Sequence, residues 1–181
     1  MAEREVVIDK MRMSYEGLFD VSELYKLIDG WLREKGYDKR EKRMAEKVTE
    51  GGKFIEWEIE PWKKITDYAK NVIKLRVIMT DIKEVEVERD KAKVKLNQGK
   101  VDFVFDGYLE TDYEHRWEGK PLFYFLRTLF NKYVFKSYTD RYHANVIADV
   151  NHLQSQIKSF LNLYRYSDEA WTKPASSFPA L

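Results

Sequence analysis

The 181 residues suit one hydrophobic core, and 44% hydrophobic with 35% charged residues supply that core while excluding global disorder. The 32 Lys and Arg nearly cancel the 31 Asp and Glu, so no long-range field would gather nucleic acid or an anionic membrane around the chain. No Cys is present for a disulfide framework or a thiolate zinc site, no apolar run reaches the ~20 residues of a membrane span, and no signal-peptide core opens the chain, so the cytoplasm is the expected compartment.

In chain order, Glu5 to Tyr15 places Met11, Met13 and Tyr15 on one side and predicts a first strand. Asp20, three residues before Glu23, has the spacing of a capping box. The stripe Val21, Leu24, Tyr25, Ile28, Trp31 and Leu32 then predicts an amphipathic helix closed by Gly36. A charged turn follows over Glu34 to Arg43. Phe54 to Glu60 alternates Ile55, Trp57 and Ile59 against Glu56, Glu58 and Glu60, a strand with one buried and one solvated face, ended or bent at Pro61.

Further strands are expected at Val72 to Thr80 and Ile82 to Arg89, with a hairpin turn at Asp90 to Ala92 and a short return at Val94 to Leu96. The links are too short for parallel crossovers, so the sheet is expected to be antiparallel. Val101 to Trp117 forms the longest alternation. Val101, Phe103, Phe105, Leu109, Thr111, Tyr113, His115 and Trp117 share the inward side, and Gly107 interrupts it where a sharp bend is expected. The last third reads as helical: Pro121 to Tyr133, a break near Ser137 to Asp140, and then Val146, Val150, Leu153, Ile157, Phe160 and Tyr164 at four- and three-residue steps, widened by Ile147 and Leu161. The segment 167–181 lacks periodicity and reads as an extended or mobile tail after a single domain over 1–166.

This order is α+β: strand, helix, antiparallel strands and a long C-terminal helix that a curved sheet would wrap. Over residues 5 to 166 it resembles the START-like superfamily, also called SRPBCC or Bet v 1-like, on element order, the long strand Val101 to Trp117 and the stripe Val146 to Tyr164. One helix rather than two follows the first strand, and Pro121 to Tyr133 is additional. The resemblance implies a helix-grip fold with a hydrophobic cavity between sheet and helix.

The expected function is therefore binding of a hydrophobic small molecule, lipid-like or aromatic. Phe103, Phe105, Leu109, Thr111, Tyr113, His115, Trp57, Val150, Leu153 and Ile157 are the expected lining. A protein-interaction or chaperone-cofactor module using the aromatic helical third and the C-terminal tail is the alternative, because Tyr and Trp dominate interface hot spots. A cyclase- or hydrolase-type enzyme centred on His115 is the third reading, although no carboxylate is identified to orient that imidazole.

No cofactor or metal is expected. His143 and His152 fall half a turn out of phase, and the period-two carboxylates at Glu56 to Glu60 and Glu84 to Glu88 read as solvated strand faces. The basic stretch Lys35, Lys39, Arg40, Lys42 and Arg43 is interleaved with Glu34, Asp38 and Glu41, so it reads as a solvated loop and not as a phosphate site.

Overall fold

The computed structural model describes residues 3–89, 92–111 and 136–171. The elements are β1 (Glu3–Phe19), α1 (Val21–Glu34), β2 (Glu41–Thr49), β3 (Gly52–Ile59), β4 (Trp62–Lys64), β5 (Ala69–Arg89), β6 (Ala92–Thr111) and α2 (Lys136–Trp171). The strands form one antiparallel sheet in the order β1-β6-β5-β3-β2, with β4 paired to β5 off that path. The C-terminal helix contacts the sheet, but the sheet is not strongly curled. The curved wrap expected from the long strand is thus present only as an antiparallel layer with helices on one face.

The helix α1 forms where Asp20 caps it: its carboxylate accepts from the backbone N–H of Ser22 and Glu23 at 2.8 and 3.0 Å. Glu23 turns to Lys26 instead of back to Asp20, so only half of the capping box is made. Leu24, Ile28, Trp31 and Leu32 are buried along the expected stripe, and Gly36 ends the helix with φ +71°, a conformation that costs glycine nothing. Asp20→Ala should lower stability by about 1 kcal/mol, read as a shift of the urea midpoint with an unchanged slope.

Several expected boundaries move. The two strands at 72–89 are one strand, β5, because the irregularity at Asp81 (φ +56°) is a bulge that shifts the register between Thr80 and Lys83 without ending the pairing with β6. Val94 to Leu96 and the start of the long alternation likewise belong to one strand, β6. Arg89 pairs with Ala92, and residues 90 and 91 of the expected turn lie outside the described residues.

The helix α2 passes through Ser137 to Asp140, where a break was expected. That stretch holds cap-forming side chains but no Gly or Pro, so nothing in it stops a helix. It also continues to Trp171, past Ser167. Residues 172–181 lie outside the described residues. Residues 112–135, with the expected helix Pro121 to Tyr133 and the end of the long alternation, lie outside them as well.

The core sits between the helices and one sheet face. Val101, Phe103, Phe105 and Leu109 of β6 are at most 1% exposed, as the alternation predicts. Val146, Val150, Leu153, Ile157 and Leu161 of α2 meet that face, while Ile147 is 41% exposed and does not widen the packed stripe. Gly107 lies inward, opposite Ile8 and Ile73. It marks close approach of the helix, because a Cβ placed there would stand 2.7 Å from Val146 Cγ1, and the register of β1 is irregular on both sides of its partner Ile8.

Candidate functional site

On the helix-covered face, β5 runs Ala69, Asn71, Ile73, Leu75, Val77 and Met79 toward the core, so one amide occupies a row of apolar side chains. Asn71 is 2% exposed and lies opposite Leu109, while Ala69 lies opposite Thr111. Ala69, Asn71 and Leu109 are buried, yet none belongs to the main core cluster. They lie on the inner face beside the last described residues of β6.

Three elements meet over Asn71. Tyr37, in the link between α1 and β2, donates its hydroxyl to Asp149 Oδ2 of α2 at 2.8 Å. Burial first, and then the Asp149 carboxylate, push the Tyr37 phenol well above its usual range, so it remains a donor across the ordinary pH range. Asn71 lies close enough to act on the Tyr37 hydroxyl through its side chain, and that interaction opposes the upward push. Among the described residues, Asn71 Oδ1 is buried without a hydrogen-bond partner.

One turn further along α2, buried Trp31 donates Nε1–H to His152 Nδ1 at 2.7 Å and stacks on Tyr37 with ring centroids 5.8 Å apart. Lys63, opposite Asn71 in register, holds its ammonium 5.6 Å from the Tyr37 ring centroid. At the other side of β6, His143 Nε2 meets Glu5 Oε2 at 3.0 Å. His143 and His152 therefore face different elements and share no site.

Of the expected lining, Phe103, Phe105, Trp57, Val150, Leu153 and Ile157 lie together in the packed core. Leu109 and Thr111 sit at its end beside Asn71, and Tyr113 and His115 lie outside the described residues. Asn71, Tyr37 and Asp149 were not singled out from the sequence. The available signal was an Asn at an inward position of a strand otherwise lined with Ile, Leu, Val and Met.

Trp57 belongs to a second arrangement. Its ring lies 4.8 Å from that of Tyr25, and Lys39 Nζ sits 4.2 Å from the Tyr25 centroid, 3.3 Å from Asp29 and 2.8 Å from Glu41, with a further hydrogen bond to the Tyr25 hydroxyl. Burial pushes this ammonium down, but its bonds to Glu41, Tyr25 and Asp29 outweigh burial and raise it. Lys42 and Arg43 are matched by Glu60 and Glu56, so three of the five cations of the basic stretch, with Lys39, meet carboxylates.

The opposite sheet face carries carboxylates set between cations. Glu58 accepts from Arg76 at 2.9 Å and from Lys74 at 3.1 Å. Glu60, expected to be solvated, is only 7% exposed and is held by Arg4 at 2.6 Å and Lys42 at 2.7 Å. Among the described residues, no three His, Asp or Glu side chains converge as a metal site, and no helix is long and apolar enough to cross a membrane.

Burial pushes the Glu60 carboxyl up, but hydrogen bonds from Lys42 and Arg4 outweigh burial and hold it below the ordinary carboxylate range. A depressed folded value means that the contribution is complete above the unfolded value, near pH 4.5, and is lost as pH falls through the lower folded value. Glu60→Gln should therefore unfold at a lower temperature than the parent at pH 7. The two melting curves should converge on acidification below pH 4.

No family model matches the chain, and neither a curated protein nor a solved structure matches it.

Proposed function

We propose that the chain is a START-like domain that binds a small molecule with an apolar body at the end of the sheet–helix interface. The family assignment rests on element order, with a C-terminal helix against an antiparallel sheet. Because the sheet is not strongly curled, the proposed binding place is the layer of Ala69, Asn71, Leu109 and Thr111, next to the side chains of the main core cluster. The observation that carries the reading is the unpartnered Oδ1 of Asn71. A buried amide oxygen without a donor costs roughly 1–3 kcal/mol, a cost that a bound molecule offsets.

The Tyr37–Asp149 bond contributes about 1 kcal/mol net, so parting it to admit a ligand would cost little. Trp31 stacks on Tyr37, so indole fluorescence should report occupancy. Titration with 1-decanol and decanamide is expected to give saturable, one-to-one changes in that fluorescence. Non-saturating partition with both compounds, together with native mass spectra showing only the bare chain, would remove the proposal.

A further inference from the structure

We propose, resting on that binding reading, that Asn71 Oδ1 is reserved for an N–H or O–H donor on the bound molecule, so the ligand class is apolar alcohols and primary amides, not carboxylates or phosphates. The polarity of the site follows from a relay of three side chains. The Asp149 carboxylate can only accept, so the Tyr37 hydroxyl donates its single proton to it at 2.8 Å. The Tyr37 oxygen then has only lone pairs left to offer. Within this proposal the Asn71 NH2 group faces the Tyr37 oxygen, and the buried amide oxygen, unpartnered among the described residues, is the end presented to the ligand.

An ionised head group placed against that oxygen would set acceptor against acceptor and leave both atoms unmet. Discrimination against the wrong hydrogen-bonding type in a buried site is large because both groups lose their water without compensation. Among the described residues, Lys63 is the cation across from Asn71 that could favour an anion instead, and its ammonium is already placed over the Tyr37 ring. Tyr37 acts here as a positioning residue: it fixes which end of the Asn71 amide is presented.

The test compares three molecules with one ten-carbon chain, 1-decanol, decanamide and decanoate, at pH 7.5, using Trp fluorescence on the parent, Asn71→Leu, Tyr37→Phe and Lys63→Met chains. The parent is expected to bind the alcohol and the amide about tenfold or more tightly than the carboxylate, as an unmet buried acceptor requires. Asn71→Leu should erase the preference while keeping the thermal midpoint of the free chain, since an apolar side chain of similar shape removes the unmet oxygen. In Tyr37→Phe the amide is free to turn over, and the preference should shrink while binding persists.

Equal affinity for all three head groups, or an unchanged preference in Asn71→Leu, overturns the inference and leaves the binding reading intact. A carboxylate preference abolished by Lys63→Met overturns it in favour of an anion site. Failure of all three to bind the folded parent removes both proposals. A thermal midpoint lowered in Asn71→Leu, with no change in ligand preference, would assign Asn71 to structure alone.

Discussion

Phe103→Ala should destabilise the chain by about 3–5 kcal/mol, the range for emptying a large aromatic site in a packed core. Phe103 has no exposed surface, lies between Met13 of β1 and Val77 of β5, and stacks on Phe105 with ring centroids 6.2 Å apart. Its neighbours come from two strands of a continuous hydrogen-bonded sheet, so the backbone cannot collapse far to refill the space. Met44→Ala is the matched control, because Met44 is 65% exposed on β2 and its truncation should stay within about 0.5 kcal/mol. Urea midpoints of the two variants at equal slopes measure the difference. Similar midpoints would show that the side chains between sheet and helices do not carry the stability.

Gly107→Ala is the second large effect, and its sign is decided by competition. Ala in a strand interior is ordinarily favoured over Gly by roughly 0.5–1 kcal/mol because the unfolded chain has less freedom to lose. Here the new methyl would stand 2.7 Å from Val146 Cγ1 and 3.3 Å from Ile8 Cβ. Val146 is β-branched and stiff in a helix, so it cannot turn aside cheaply. Overpacking of this kind costs about 1–3 kcal/mol and should win. In a Val146→Ala background the same substitution should cost much less, a coupling that a double-mutant cycle reads directly. Equal costs in both backgrounds would mean that the helix does not rest on Gly107.

The elements legible in the sequence are those with one buried and one wet face. The stripe Leu24, Ile28, Trp31 and Leu32 and the alternation Ile55, Trp57 and Ile59 each declare a period, and each is buried as that period requires, Ile55 in part. The strand β2 declares none. It is an edge strand, exposed along nearly its whole length, and only its first residues, Glu41 to Arg43, read as anything, the end of a charged turn, because neither face needs apolar side chains.

The single strand β5 was divided because a bulge and a strand end carry the same local signal. A non-glycine residue at φ +56° interrupts the alternation whether or not pairing resumes beyond it. The site was legible only at Leu109 and Thr111. Tyr37, Asn71 and Asp149 come from a loop, a strand and a helix, and a hydrogen-bonded relay among residues so far apart in sequence leaves no spacing to read.

The pairing of β1 with β6 has a consequence for how the chain is made. Glu3 meets Thr111, whereas Arg89 meets Ala92 on the neighbouring strand, so one seam of the sheet is local and the other spans most of the molecule. On the ribosome β1 emerges well before its partner and must wait, with Met11, Met13 and Tyr15 uncovered, until β6 has been translated. Closing that long loop costs entropy before any contact rewards it, so the β5–β6 hairpin should nucleate and β1 should dock late. Truncations at Met13 should therefore speed unfolding while leaving the refolding rate nearly unchanged.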